Sequence, residues 1–302
     1  MDTGTGSIFM LMGMGAAYLP TINKPFLTQL KSNLIHLILP IVLGIARPIS
    51  IEFFNYPHNV NEYGVHWNFF LTIAVVSLFS LFISYILSKH LFYLSIIIML
   101  IYEFILKLGL QDYIINIHRT NFISENIEGI VQCIGYTVCY MLGKDFGHQI
   151  KAIQVSTKNN PLRVLRSYVL TYLHNFAILF LSIYILKSEP SRRMANFSYV
   201  WMTYILFYTA LISYAFYYYL CVDPVFNTFI LSIHNNKLFY FLAANLMVGS
   251  FNLTFNSLSY SDNQAIIILS IYCAFAFTLT RLKDILMPII FKKKSTIKKK
   301  EN

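Results

Sequence analysis

The sequence predicts an all-α fold, a polytopic bundle of transmembrane helices with about nine spans. Three observations carry the prediction. Hydrophobic residues make up 57% of the 302 and charged residues only 12%, about half the charged share of an ordinary soluble domain, so too few charges remain to cover a water-facing surface. Mean hydropathy is +0.58. The apolar residues also fall in runs close to the ~20 residues a helix needs to cross a bilayer core, and in hydrocarbon the backbone must satisfy its own hydrogen bonds, which makes such runs helices.

The runs follow one another with short gaps. Ser7 to Leu19 comes first and is short; Asn33 to Ile51 follows and contains Arg47 and Pro48. Pro48 frees a backbone carbonyl and can kink its helix, while Arg47 either pairs with Glu52 or meets a phosphate. Trp67 to Leu87 opens on an aromatic residue suited to a membrane interface. Leu91 to Leu110 holds Glu103 and Lys107, spaced for an intrahelical pair. Glu128 to Gly143 has Ser124 ahead of it as a candidate cap and Glu128 in its first turn. The first and fifth runs are also readable as re-entrant pieces. Arg166 to Leu186, Tyr199 to Leu220, Lys237 to Leu258 and Gln264 to Ile290 complete the set. There is no repeat, long linker or soluble domain, so residues 1–290 read as one membrane-embedded domain and 291–302 as a lysine-rich tail.

The formal charge of +10 does not point to nucleic acid, because no motif of that kind is present and the basic residues sit in gaps between apolar runs. Lys292, Lys293, Lys294, Lys298, Lys299 and Lys300 crowd the tail. With that tail cytosolic and the spans alternating, most other basic residues fall on the cytosolic side, which leaves the N-terminus lumenal. Segment 187–198, with Lys187, Arg192 and Arg193, is the exception, and binding a phosphate-bearing lipid would account for it. The ending Lys299-Lys300-Glu301-Asn302 fits a dilysine signal for retrieval to the endoplasmic reticulum. Cys133, Cys139, Cys221 and Cys273 lie in apolar stretches without paired spacing, which suggests neither disulfides nor a metal site. The opening Met1-Asp2-Thr3-Gly4-Thr5-Gly6 has no basic n-region and reads like the interior of a protein.

Ionisable groups at membrane depth are costly and mark functional positions. The densest cluster is Glu62-Tyr63-Gly64-Val65-His66-Trp67-Asn68. On a helix, Glu62 and His66 would lie one turn apart on one face, and a carboxylate beside a histidine raises its basicity as a general base. An interfacial histidine with Trp67 as a belt anchor is the alternative. Asn126 and Glu128 lie in a second polar stretch, and Ser191 to Asn196 forms the basic cluster. Asn245 and Asn252 place two amides in an Ala-, Gly- and Ser-rich run suited to close helix packing.

In order along the chain, five blocks resemble the glucosaminyl-phosphatidylinositol inositol acyltransferases, called PIG-W in animals. Met1-Asp2 to Phe9 is similar to MDxGxGSF. Asn59 to Phe70 is similar to HVTEYGVHWNFFFT, departing at Asn61 and Leu71. Asn126 to Ile130 resembles NREGI, with Gly135-Tyr136 after it; Ser191 to Asn196 reads SRRMAN unchanged; and Phe241 to Leu253 is similar to FLLANLLTGLVNL. The resemblance implies an endoplasmic-reticulum membrane enzyme moving a long acyl chain, commonly palmitoyl, from acyl-CoA to the inositol 2-hydroxyl of glucosaminyl-phosphatidylinositol. It implies no bound cofactor, since acyl-CoA is a co-substrate. His66 and Glu62 are then expected at the reacting centre, with Arg47, Arg192 and Arg193 on phosphates. Asn68, Asn126, Glu128, Asn196, Asn245 and Asn252 are expected to bind substrate or line its cavity. Ile127 departs from the family arginine. The family also carries an N-terminal portion with further spans and a DFPxRxAKTE stretch, to which catalytic Asp and Lys roles are attributed. These 302 residues lack that stretch, so the chain is expected to be N-terminally incomplete. A lipid or solute transporter and a non-catalytic remnant or subunit are the competing readings.

Overall fold

The computed structural model describes residues 3–18, 25–54, 60–86, 90–156, 160–220, 228–255 and 260–298. Met1, Asp2, Asn59, Cys221 and the terminal Lys299 to Asn302 lie outside them. All regular structure among the described residues is helical. The chain forms two compact units, Met1–Cys221 and Val222–Asn302.

In the first unit the helices are α1 (Gly4–Tyr18), α2 (Phe26–Phe53), α3 (Val60–Tyr63), α4 (Phe69–Ile86) and α5 (Leu91–Ile105). A π-helical turn (Leu106–Leu110) leads into α6 (Gln111–Asn116). Then come α7 (Phe122–Glu125), α8 (Ile127–Ser156), α9 (Pro161–Tyr184) and α10 (Phe197–Leu220). Helix α8 is the central post. Val131, Cys133, Tyr136, Val138, Cys139, Leu142, Phe146 and Ile150 are all buried, as expected of a helix covered by neighbours over most of its surface. The outer helices show the opposite pattern: Ile35, Ile38, Val42, Ile45 and Ile49 of α2 stand exposed. A hydrocarbon solvent explains such faces, and water does not.

Glycines bring α1 and α8 into backbone contact. A Cβ on Gly13 would stand 1.9 Å from the Tyr140 carbonyl oxygen, and one on Gly143 would stand 2.1 Å from that of Met10. Where lipid is as apolar as the side chains, helices gain by such close approach rather than by excluding water.

Within the described residues each predicted apolar run falls largely on a helix, but the count of nine spans is not established. Among the described residues, five helices are long and apolar enough to cross a membrane: Phe26–Phe53, Phe69–Ile86, Leu91–Asn116, Leu162–Tyr184 and Asp262–Ile285. Of the others in this unit, α1 has 15 residues, α8 carries Glu128, Lys144, Asp145 and Lys151, and α10 is rich in tyrosine.

Two local expectations are corrected. Glu103 and Lys107 do not pair: the Glu103 carboxylate accepts the Phe197 N–H at 3.2 Å, at the start of α10, and the Lys107 ammonium donates to the Leu186 carbonyl. The π turn between α5 and α6, where Gly109 has φ 118°, spoils the i,i+4 register beyond residue 105. Ser124 does not cap α8 either. It sits inside α7 in a reciprocal cap with Asn121, whose side chain accepts the Ser124 N–H, and α8 starts three residues later.

In the second unit, α11 (Thr228–Asn235) and α13 (Asp262–Lys298) flank α12 (Lys237–Thr254). The Asp284 carboxylate accepts from Ser232 and from the Asn236 amide, tying α11 to α13, and Tyr240 stacks on Phe277 at 6.0 Å. Asn245 was expected to be buried. It is exposed, and its amide donates to the Phe241 carbonyl one turn back. Asn252 is half-buried.

The helix crossing predicts that Gly143→Ala lowers stability by about 3 kcal/mol, because the methyl meets backbone that cannot rotate away. Gly15, whose Cβ would meet nothing within 4 Å, is the control: Gly15→Ala should be neutral or slightly stabilising. Thermal melting of the detergent-solubilised protein checks both.

Candidate functional site

The segment Gly64–Asn68, after the short α3, is a loop held in a cradle, so Glu62 and His66 do not share a helix face. Helix α3 ends at Tyr63, and Gly64 has φ 112°, a conformation that favours glycine. A Cβ there would also stand 2.5 Å from the Asn126 Cα and the Glu125 carbonyl oxygen. The Val65 N–H donates to the Glu125 carbonyl at 2.9 Å, and the Asn126 side-chain oxygen accepts both the His66 and Trp67 N–H groups at 2.8 Å. The Trp67 ring lies against Gly129, where a Cβ would come within 2.2 Å of it, and its indole N–H donates to the Thr72 hydroxyl at 3.0 Å.

Asn68 completes the frame. Its oxygen accepts the Phe70 N–H at 3.0 Å at the start of α4, and its amide donates to the Gly44 carbonyl at 2.7 Å. That carbonyl lies four residues before Pro48, which has no N–H to return to it, so Asn68 supplies the donor that α2 lacks.

The expected pairing of His66 with Glu62 is replaced by a different one, because Gly64 breaks the helical spacing between them. His66 Nε2 lies 3.6 Å from Glu125 Oε2, with the imidazole 53% exposed. His66 also lines a cavity of about 330 Å³ with Gly44, Ile45, Pro48, Ile49, Glu52, Trp67, Leu71 and Phe122. Glu62 turns the other way, toward Arg192, at 3.8 Å.

Behind the loop lies an Arg–Glu–Arg centre. The Glu128 carboxylate, fully buried, accepts from both terminal nitrogens of Arg119 at 2.7 and 3.2 Å and from Arg193 at 2.9 Å. A buried carboxylate keeps its charge only when paired and hydrogen-bonded in this way. Arg119 also donates to the Glu125 carbonyl at 2.8 Å, so the same guanidinium that neutralises Glu128 steadies the residue facing His66. Gln132, buried, donates to the Glu62 and Arg193 carbonyls.

The Ser191–Asn196 turn is fixed by its last residue. The Asn196 oxygen accepts the N–H groups of Ser191 and Tyr199 at 2.9 and 3.2 Å, and its amide donates to the Ser188 hydroxyl and the Glu189 carbonyl at 2.9 and 2.8 Å. Ala195, at φ 45°, packs against Gly135, whose Cβ would meet its carbonyl oxygen at 2.1 Å.

The GWT1 family model matches residues 1–282. The chain belongs to the GWT1 family. It is 31% identical over 297 residues to "GPI-anchored wall transfer protein 1" of Yarrowia lipolytica, covering 91% of this chain and 62% of that one. It is 30% identical to the protein of the same name in Schizosaccharomyces pombe, covering 90% and 61%. To "Phosphatidylinositol-glycan biosynthesis class W protein" of Dictyostelium discoideum it is 31% identical, covering 79% and 49%. The chain thus spans about three-fifths of the length of the two fungal relatives and half that of the third.

In this GWT1 chain, the loop, the NIEG cradle and the SRRMAN turn converge on one centre that unites His66, Glu62, Asn126, Glu128, Arg192 and Arg193. Asn68, Asn126 and Asn196 turn their amides to the backbone and build the frame. Arg47 is exposed on α2 and, among the described residues, makes no ion pair with Glu52, since five residues separate the two by about 140° around a helix. Asn245 and Asn252 belong to the second unit. Arg119, Glu125 and Gln132 were not singled out by sequence reasoning. Only Arg119 carried a signal, as an arginine beside a capping sequence in a chain short of charges.

Replacing Glu128 with Gln leaves two guanidiniums facing one neutral amide and should cost about 3 kcal/mol, read as a lowered melting temperature. Glu62→Gln, which removes only a long and exposed ion pair, should cost less than about 1 kcal/mol.

Proposed function

We propose that the chain forms part of a membrane enzyme of GPI-anchor biosynthesis. It would transfer a long acyl group, palmitoyl above all, from acyl-CoA to the inositol 2-hydroxyl of glucosaminyl-phosphatidylinositol in the endoplasmic reticulum. The family and the names of the relatives support the pathway. The observation that carries the chemistry is His66, an accessible imidazole steadied by Glu125 on the wall of an otherwise largely apolar cavity.

With Nε2 turned to Glu125, Nδ1 is the nitrogen left to act as base. The inositol oxygen bonds to the thioester carbonyl carbon while its proton passes to Nδ1. The carbon–sulfur bond then breaks, the acyl group remains as the inositol ester, and the departing coenzyme thiolate takes the proton back. Glu125 stabilises the imidazolium formed between these steps. Ile45, Ile49, Leu71 and Phe122 give the acyl chain an apolar wall. The charge bias of the sequence supports a lumenal site and a cytosolic C-terminus.

His66→Ala in the full-length protein should lower inositol acylation by about 100-fold or more, at unchanged abundance in the membrane. The assay is transfer of labelled palmitoyl to glucosaminyl-phosphatidylinositol in isolated membranes. Near wild-type transfer would remove His66 from the mechanism.

A further inference from the structure

Two ionisable side chains line the cavity on the α2 side of the loop, His66 and Glu52. His66 is turned to Glu125 at 3.6 Å. Glu52 is exposed, and among the described residues its carboxylate makes no ion pair, with Arg47 or with any other cation. Ile45, Pro48, Ile49 and Glu52 follow one face of α2, so the cavity wall passes from apolar side chains to a carboxylate over about 10 Å of helix. Glu52 stands in the last turn of that helix, where no basic residue accompanies it. A helix C-terminus carries partial negative charge on its last carbonyls and is ordinarily complemented by Lys, Arg or His. Here a carboxylate adds to that charge instead, at the edge of the cavity that holds the base.

Resting on the acceptor proposed above, we infer that Glu52 and the C-terminal end of α2 bind the ammonium of the acceptor's glucosamine, which makes Glu52 the residue that selects the free amine. The charges of the two substrates leave one choice. Palmitoyl-CoA brings several phosphate charges and no ammonium, and the acceptor's phosphodiester is an anion, so this end of the cavity repels both. The glucosamine amine is the one cation among them. It sits on the sugar joined to the inositol, so a pose that brings the 2-hydroxyl to His66 brings the ammonium to the same cavity. N-acetylation removes the charge, adds bulk and leaves the carboxylate facing a neutral amide, and a site built on an ion pair discriminates against such an analogue.

The test is steady-state acylation by the full-length protein in proteoliposomes, with glucosaminyl-phosphatidylinositol and its N-acetyl counterpart as alternative acceptors at saturating palmitoyl-CoA. The wild-type protein should use the free amine with the lower KM. Glu52→Gln keeps the shape and removes the charge; it should raise the KM for the free amine about tenfold and bring the ratio of the two KM values close to one. Glu52→Asp should keep part of the preference. Glu52 is exposed in the last turn of its helix, and the melting temperature of both variants should match that of the wild type. An unchanged ratio in Glu52→Gln overturns the inference, whether both KM values rise together or neither moves. A wild-type protein indifferent to the acetyl group overturns it equally, and both results leave the proposed acylation in place. Retained transfer in His66→Ala beside a collapsed ratio in Glu52→Gln rejects only the base. A wild-type protein that acylates neither acceptor removes the proposed function, and the inference falls with it.

Discussion

The site depends on one buried charge. Glu128 projects from the first turn of α8 into the protein interior, and the two guanidiniums of Arg119 and Arg193 make that placement tolerable. Those arginines arrive from different parts of the chain, one from the loop before α7 and the other from the turn before α10. The ion triad therefore fastens the loop before α7 and the start of α8, nine residues apart, to the turn before α10, 65 residues further on. Because a carboxylate left alone there would be uncompensated, the segments cannot drift apart independently. The His66 loop, which leans on Glu125 and Asn126 just ahead of Glu128, inherits its position from the same point.

Around this anchor the unit is assembled by close packing and backbone hydrogen bonds. Helix α8 is both the wall of the site and the partner against which α1 packs through glycine contacts. Membrane helices gain little from burying apolar surface against one another, so small residues and polar fastenings carry the specificity. The same logic explains why so many of the conspicuous polar side chains serve the frame. Asn68, Asn126 and Asn196 each satisfy several backbone groups that irregular loops would otherwise leave unpaired.

The helices were legible in the sequence because apolar runs of membrane length leave few alternatives. The number that cross a membrane was less so: α8 looks like a span by its middle residues, yet it is a buried post that carries charge at both ends. The blocks forming the site were legible through family resemblance, and all three that meet at the centre were among those singled out. The contacts within the site were not. Reading Glu62 and His66 as a helical pair assumed a continuous helix, and the positive φ of Gly64 ends it. Glu125 escaped notice because its partner His66, some sixty residues away and presented by a loop, leaves no periodicity to detect.

The contact between Asn68 and the Gly44 carbonyl has a consequence for how such sequences can change. Pro48 breaks the hydrogen-bond ladder of α2, and Asn68 repairs it from the loop just before α4. Neither residue makes sense without the other: an amide there is redundant if residue 48 has an N–H, and the proline leaves a buried carbonyl stranded if the amide is gone. The two positions, twenty residues apart, are therefore coupled through one hydrogen bond. Gly44 and Pro48 also line the cavity beside His66. Divergence at that pair would thus reshape the cavity wall without touching any residue of the charged centre.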